Sequence, residues 1–224
     1  MKARRPRFAA VCFDCDSTLT RIEGIDELAR RAGREIEVAA LTEAAMNGVM
    51  PLEAVYAKRL DLVRPGRADL AWLAERYAED AVSGAAETIT TLRQHGAAVH
   101  IVTSGLLQAV VPFAGTLGVA PAEVHAVDVH FDATGAYCGF DASSPLCRGN
   151  GKAIVCERIA AMTCGPIAMV GDGATDLTAR AGGAYVVGWG GVVERDFLRQ
   201  EAGCYIAGPS LTATLPTLLS EIDV

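Results

Sequence analysis

The sequence has no apolar run long enough to cross a bilayer, and no apolar segment follows its short basic start. We therefore expect neither a membrane span nor a signal or transit peptide. Positive charge is also scarce, because 20 Lys and Arg residues stand against 27 Asp and Glu residues, for a net charge of -7. An acidic chain is a poor partner for nucleic acid, so we expect a different kind of ligand.

Paired cysteines and spaced histidines are missing as well. The seven cysteines are odd in number and scattered, which predicts free thiols and a reducing, cytoplasmic location. Cys12 and Cys15 form a C-x-x-C, but this spacing in a strand points the two side chains to opposite faces and disfavours a redox pair. The four histidines show no metal-ligand spacing.

The sequence is rich in apolar runs that end in polar residues. Of its 224 residues 51% are hydrophobic, enough for a large core. Three runs, at 8–13, 97–102 and 166–170, lead into Asp14, Asp16 and Thr18, into Thr103, Ser104 and Gly105, and into the GDGATD segment at 171–176. Apolar strands separated by helical stretches predict a parallel sheet covered on both faces. Ligands bind beyond the carboxyl ends of such strands, so we expect one shared site.

The segment between the first two runs has a helical pattern. Glycine and proline residues at 33, 48, 51, 65 and 66 divide it into short helices. We expect a helical cap at 20–80, inserted into an α/β core made of residues 1–19 and 81–224. A β-hairpin is predicted within 131–141. Further helices are expected at 85–95, 105–117, 174–181, near 210–220 and from Lys152, with strands at 97–103, 166–170 and 184–188.

The two acids after the first run suit attack on a phosphate monoester. One carboxylate, Asp14, can act as the nucleophile and form a covalent phosphoryl intermediate. The other, Asp16, can protonate the leaving alkoxide and later take a proton from water. Because this attack brings two anions together, the site needs compensating positive charge.

Mg²⁺ and a lysine can supply that charge. The hard Mg²⁺ ion prefers oxygen ligands, which the carboxylates of Asp14 and Asp172 and the backbone carbonyl of Asp16 can provide. Lys152 and Ser104 can hold the phosphoryl oxygens. Backbone N–H groups near a helix start at Gly105 are expected to assist them.

These motifs resemble those of a known superfamily. DCDST at 14–18, TSG at 103–105, Lys152 and GDGATD at 171–176 match, in order and separation, the haloacid dehalogenase superfamily of phosphatases. EGIDELA at 23–29, the AMNG segment around Met46, Arg59 and the hairpin are similar to its phosphoserine phosphatase family, particularly the eukaryotic-type members, over nearly the whole chain. The resemblance implies a Rossmann-like core with a helical cap. It also implies Mg²⁺-dependent hydrolysis of O-phospho-L-serine, a step of serine biosynthesis, through an aspartyl-phosphate.

The resemblance also implies a role for each matching residue. Asp14 matches the nucleophile, Asp16 the general acid and base, and Asp172 a metal ligand. The phosphate is expected to contact Ser104, Gly105 and Lys152. Glu23 matches the residue that receives the substrate ammonium, and Arg59 the one that pairs with its carboxylate. The remaining expected positions are Met46, Leu52 and Thr175 at the substrate and Thr18, Gly173 and Asp176 behind the metal and the nucleophile.

Two residues depart from the family pattern. Leu52 stands where the family usually has Phe, and Leu106 stands where it has a second Gly. The alternatives are therefore a related phosphatase for another small metabolite, or a phosphotransferase that uses an alcohol acceptor such as homoserine. A dinucleotide-binding module is disfavoured, because Asp176 occupies the place of the third glycine that such modules need. The expected partner is a small phosphomonoester, and a homodimer is left open.

Overall fold

A computed structural model describes residues 4–46 and 49–221 and has a parallel β-sheet at its centre. The strands are β1 (Arg4–Pro6), β2 (Ala10–Phe13), β3 (Ala98–Leu106), β4 (Val124–Val127), β5 (Val129–Phe131), β6 (Tyr137–Phe140), β7 (Ile167–Gly171), β8 (Ala184–Trp189), β9 (Cys204–Ile206) and β10 (Leu219–Glu221). Six of them form the central sheet in the order β4-β3-β2-β7-β8-β9, and each neighbouring pair is parallel. The predicted α/β fold with a parallel sheet is therefore confirmed.

Helices connect and cover the strands. They are α1 (Gly24–Arg31), α2 (Glu35–Met46), α3 (Leu52–Val63), α4 (Arg67–Glu79), α5 (Ala85–Gln94), α6 (Leu107–Thr116), α7 (Gly151–Thr163), α8 (Ala174–Thr178), α9 (Asp196–Glu201) and α10 (Leu215–Leu218). In the part of the chain that the structure describes, none of the helices combines the length and the apolar character of a membrane span. All seven cysteines lie in this part and are free thiols.

The central strand β2 fixes the place of the site. All four of its residues are buried, as are all five of β7, which explains why both strands are continuous apolar runs. The last residue of β2, Phe13, lies level with Ile101 of β3 and with Val170 of β7. The residues that come after these three aligned positions therefore meet at one edge of the sheet, as predicted.

The helical segment α1–α4 leaves and rejoins the rest of the chain at one place. Thr20 and Ala81 form an antiparallel bridge. Beside it, the Arg21 N–H donates to the Asp80 carbonyl at 2.9 Å, and the Val82 N–H donates to the Leu19 carbonyl, also at 2.9 Å. The two crossings lie side by side, so the four helices form a continuous insertion between β2 and α5.

The predicted hairpin is confirmed by the antiparallel strands β5 and β6. Its turn is held by Asp132, whose Oδ1 accepts from the N–H groups of Thr134 and Ala136 at 2.8 and 3.0 Å. Gly135 sits in this turn with a φ of 86°, a conformation that glycine adopts without a steric penalty.

Two predicted elements differ from the structure. The strand expected at 97–103 runs on to Leu106, and the helix after it begins at Leu107 instead of 105. The helix expected near 210–220 is reduced to a 3₁₀ turn (Leu211–Thr214) and the four-residue α10. After it, β10 pairs with β1 at the other end of the chain, so a distant partner overrides the local helical pattern.

Candidate active site

Three buried carboxylates and a lysine meet beyond the ends of β2 and β7. The side chains of Asp14, Asp172 and Asp176 each offer an oxygen within 4.8 Å of the others. The Lys152 Nζ lies 2.8 Å from Asp14 Oδ2 and 2.7 Å from Asp176 Oδ1. The exposed fraction of the Lys152 side chain is 2%, so these two ion pairs are shielded from water.

The local backbone explains how Asp14 and Asp16 are placed. The Asp14 N–H continues the pairing of β2 with β7 by donating to the Val170 carbonyl at 2.9 Å. A tight turn follows, in which Ser17 has a φ of 52° and the Leu19 N–H donates to the Cys15 carbonyl at 2.8 Å. The turn keeps both acids at the sheet edge instead of carrying them away along an extended chain.

Asp176 is fixed by the start of α8. Its Oδ2 accepts from the Gly173 N–H at 2.9 Å, which satisfies a free donor at the helix N-terminus. A Cβ on Gly171 would lie 2.1 Å from the Asp176 carboxyl carbon, so the last residue of β7 has to be glycine. The GDGATD segment therefore brings its second acid back against the strand that precedes it.

Burial changes the protonation of this cluster. Burial, followed by the nearby charge of Asp14, raises the pKa of Asp172 to about 8. Burial also raises the pKa of Asp176 to about 6, although Lys152 opposes the shift. For Lys152 burial acts to lower the pKa, but Asp14 and Asp176 outweigh it and the pKa rises. The acids hold more negative charge than Lys152 balances, which suits a hard divalent cation with oxygen ligands.

Two further groups contact Asp172. The Thr18 hydroxyl donates to its Oδ1 at 3.3 Å, and Arg195 Nε lies 3.5 Å from its Oδ2. Thr18 is the last residue of the DCDST motif, and its hydroxyl lies beside the acid cluster. Arg195 was not expected here, since it precedes α9, a helix that the sequence pattern did not predict.

One carboxyl oxygen of Asp16 is bonded to groups outside the acid cluster. Its Oδ1 accepts from the Gly24 N–H at 2.9 Å and from the Tyr77 hydroxyl at 2.7 Å. Burial raises the pKa of Asp16 to about 6, while the bond from Tyr77 lowers it. A carboxyl group with this pKa can both give and take a proton near neutral pH.

The helical insertion contributes a carboxylate, Glu23, and a guanidinium, Arg59, to the site. Glu23 lies just before α1, and its Oε1 accepts from the Ser17 hydroxyl at 2.7 Å. Burial, followed by the charge of Asp16, raises the pKa of Glu23 well above its usual value. Arg59 of α3 is only 7% exposed and donates to the Thr42 hydroxyl at 3.3 Å.

Within the described part of the chain, the Nε of Arg59 is buried and has no hydrogen-bond partner. Burial also lowers the pKa of this guanidinium. An unpaired N–H on a buried cation is costly, so the group is poised to accept an anionic ligand. Arg59 and Glu23 would each gain from a charge of opposite sign.

A single cavity of about 690 Å³, including the part open to solvent, joins these groups. Nine of the predicted site residues line it: Asp14, Asp16, Glu23, Leu52, Arg59, Ser104, Gly105, Lys152 and Thr175. Four others, Thr18, Asp172, Gly173 and Asp176, lie behind or beside the acid cluster. The side chain of Met46, at the end of α2, lies outside the described residues.

One predicted detail is wrong. The Gly105 N–H was expected near a helix start, but it lies in the extended end of β3 and donates to the Thr103 hydroxyl at 3.0 Å. The helix begins two residues later, at Leu107. The Thr103 hydroxyl therefore accepts the hydrogen bond of the Gly105 N–H, which was expected to face the phosphate.

Two tyrosines of the site were missed. The Tyr56 hydroxyl donates to the Ser104 carbonyl at 2.8 Å and joins α3 to the end of β3. Tyr56 and Arg59 are three residues apart on one helix and share a face, a spacing that would have indicated Tyr56. Tyr77 contacts Asp16 across 61 residues of sequence, and no local pattern reports such a contact.

Comparison with known proteins agrees with this geometry. Residues 11–179 match the haloacid dehalogenase-like hydrolase family. The phosphoserine phosphatases of Bos taurus and Homo sapiens are each 34% identical to this chain over 198 residues, which span 88% of this chain and 88% of theirs. A solved phospho-aspartyl intermediate analogue of phosphoserine phosphatase is 27% identical, has a TM-score of 0.81, and is matched over 96% of this chain and 100% of its own. The chain therefore belongs to the haloacid dehalogenase-like hydrolase family, together with the phosphoserine phosphatases of cattle and human.

Proposed function

We propose that this protein is a Mg²⁺-dependent phosphatase that hydrolyses O-phospho-L-serine to serine and phosphate. One observation carries the choice of substrate. Buried Arg59, whose Nε has no hydrogen-bond partner among the described residues, and Glu23 line the same cavity as Asp14 and Asp16. An amino acid phosphate brings a carboxylate, an ammonium and a phosphate, and the cavity offers a group that suits each of them.

In the first half of the reaction, a carboxylate oxygen of Asp14 attacks phosphorus while the bond from phosphorus to the serine oxygen breaks. Asp16 gives its proton to that oxygen, so serine leaves as a neutral alcohol. Lys152, which is held against Asp14, offsets negative charge as the two anions approach. The product of this half is an aspartyl-phosphate on Asp14.

In the second half, water attacks the phosphorus of the aspartyl-phosphate. Asp16, now ionised, takes a proton from this water. The bond between Asp14 and phosphorus breaks, which releases phosphate and restores the carboxylate. Each half begins with Asp16 in the protonation state that the other half produces.

The acid cluster fits Mg²⁺, since its donors are carboxylate oxygens and its charge exceeds that of Lys152. Asp14 and Asp172, with the Asp16 backbone carbonyl, would hold the ion, and Asp176 would support them through Lys152. When bound, the ion would supply positive charge that offsets the negative charge of the phosphoryl group.

We assign residues 20–80 to a cap and residues 1–19 and 81–224 to the core. Contacts between the two support this division. Tyr56 of α3 reaches the Ser104 carbonyl, and the carboxylate of Glu53, also on α3, accepts from the Gly149 N–H at 2.9 Å. A cap in this position excludes water from the cavity and carries Glu23 and Arg59 to the substrate. Free thiols fit a reducing cytoplasm, where serine biosynthesis would place the enzyme.

The test is a panel of phosphate esters assayed with Mg²⁺: phosphoserine, phosphothreonine, phosphoethanolamine and a sugar phosphate. We expect phosphoserine to have the highest kcat/KM and to yield serine and phosphate in equal amounts. The enzyme should lose its activity when the metal is removed by a chelator. Adding homoserine should leave phosphate release unchanged. Phosphohomoserine formation would instead identify a phosphotransferase, and a preference for a carboxylate-free ester would overturn the substrate assignment.

A further inference from the structure

We propose that Tyr77 is a positioning residue that makes Oδ2 of Asp16 the oxygen that exchanges the proton with the leaving group. The inference rests on the proposed function, in which Asp16 is the acid and base. Tyr77 belongs to α4 of the helical insertion and touches neither the nucleophile nor the acid cluster in the described contacts. Its role is therefore to act through Asp16.

The hydrogen bonds at Asp16 distinguish its two oxygens. Oδ1 accepts from the Gly24 N–H at 2.9 Å and from the Tyr77 hydroxyl at 2.7 Å. A carboxyl oxygen has two lone pairs, so these donors occupy both. A proton on Asp16 must then reside on Oδ2.

Oδ2 lies at the phosphate side of the cavity. A Cβ built on Gly105 would lie 3.4 Å from Asp16 Oδ2, which places this oxygen next to the end of β3. Ser104 and Gly105 form that end and line the cavity. The oxygen that carries the proton therefore faces the region where the ester oxygen of the substrate has to sit.

The packing around Tyr77 holds its hydroxyl against Asp16. Its side chain is 1% exposed, and its ring lies 5.6 Å from that of Phe113, so the hydroxyl has a fixed position. A Cβ on Gly24 would lie 1.9 Å from this hydroxyl oxygen, so Tyr77 can reach Asp16 only because residue 24 is glycine.

The proton transfer balances with these roles. As the bond from phosphorus to the ester oxygen breaks, the electron pair stays on that oxygen and takes the proton from Oδ2. The two donors at Oδ1 then stabilise the carboxylate that remains. In the second half, the attacking water returns a proton to Oδ2. Without the Tyr77 hydroxyl, Oδ1 has a free lone pair and can hold the proton on the side away from the substrate.

The test compares leaving groups in the Tyr77→Phe variant, which keeps the buried ring. Serine leaves as an alkoxide that needs a proton, whereas p-nitrophenol leaves as a stable anion. We expect kcat/KM for phosphoserine to fall by about ten- to a hundredfold, the effect of losing one hydrogen bond to a charged group, with KM within about twofold. For p-nitrophenyl phosphate the fall should be at most about twofold.

One further variant serves as a control, and another is a second test of the contact. Tyr185→Phe removes a hydroxyl that donates to the Gly203 carbonyl at 2.8 Å, far from the cavity lining, and should leave both esters unchanged. Gly24→Ala, whose Cβ expels the Tyr77 hydroxyl, should reproduce the dependence on leaving group. Melting curves confirm that each variant is folded.

Equal losses for both esters, or no loss for phosphoserine, in folded Tyr77→Phe would overturn the proposal and leave Tyr77 with a packing role only. Failure of the substrate assignment can be distinguished from failure of the Tyr77 proposal. If the wild type prefers another alkyl phosphate, such as phosphoethanolamine, the same comparison is made with that ester, because the proposal concerns the leaving oxygen and not the serine carboxylate.

Discussion

Lys152 lies with its ammonium nitrogen 2.8 Å from Oδ2 of Asp14, and both side chains are almost completely buried. The same nitrogen lies 2.7 Å from Asp176 Oδ1, so one cation is shared by two acids. Lys152 comes from the first turn of α7, whereas Asp14 follows β2 and Asp176 lies in α8. This ion pair therefore joins three separate segments of the chain at the nucleophile.

Removal of the Lys152 charge should impair both catalysis and folding. In Lys152→Met the side chain keeps most of its length, but two buried carboxylates lose their cation, which costs on the order of 3–5 kcal/mol. We expect a lower melting temperature and a kcat at least about a hundredfold below that of the wild type. Arg158→Met, on an exposed part of the same helix, is the matched control and should change neither quantity. Phosphate release within about threefold of the wild type would show that Lys152 has no part in the reaction.

The stability of the metal-free protein should fall as the pH rises. The pKa of Asp172 is about 8 in the folded protein against an ordinary value of 3.8, chiefly because of burial. The folded state therefore keeps a proton that the unfolded state releases, so the stabilisation is full below the ordinary pKa and is lost as the pH rises through about 8. Between about pH 6.5 and 8.5, we expect the melting temperature in the presence of a chelator to fall by a few degrees.

The choice of this pH range separates the effect of Asp172 from the titration of two histidines. Burial lowers the pKa of both His100 and His125 from the ordinary histidine pKa of 6.5. These histidines therefore affect stability below pH 6.5, where they make the protein more stable as the pH rises. Asp172→Asn cannot titrate and should show a smaller fall than the wild type over this range. Mg²⁺ should raise the melting temperature of the wild type more at pH 8.5 than at pH 6.5, because it competes with the proton. A wild-type profile that is flat or rises, or one that the Asn variant reproduces, contradicts this reading of the cluster.

Arg59 should determine selectivity for a substrate carboxylate. In Arg59→Ala, kcat/KM for phosphoserine should fall by about a hundredfold or more, since a buried charged partner is lost. Phosphoethanolamine lacks the carboxylate and should lose far less. The ratio of the two kcat/KM values, before and after the substitution, is the quantity to measure. Lys58→Ala, an exposed neighbour on α3, is the control and should leave the ratio unchanged. If the ratio is also unchanged in Arg59→Ala, Arg59 does not recognise the carboxylate.

The floor of the cavity could be predicted from sequence because parallel strands impose it. Asp14, Ser104 and Asp172 each follow an apolar run, and neighbouring strands in a parallel sheet end at the same edge. The order of β3, β2 and β7 in the structure confirms that the three runs are adjacent. The prediction did not depend on any side-chain detail.

Contacts between distant segments could not be predicted in the same way. The bond from Tyr77 to Asp16 depends on how α4 packs over the sheet, and that packing leaves no periodic signal in either segment. The short edge strand β9 has three half-buried residues, too few for a strand pattern to emerge. Gly105 was misplaced because β3 continues its pairing with β4 as far as Leu106 after an irregularity in register.

The most direct test of the account is to trap the phosphoryl group on the protein. Wild-type protein is mixed with radiolabelled phosphoserine and Mg²⁺, quenched in acid and digested. We predict that the label is found on the peptide that contains Asp14, and that Asp14→Asn retains its fold, carries no label and releases no phosphate. Label on a different residue, or normal phosphate release by the verified Asn variant, would contradict the account.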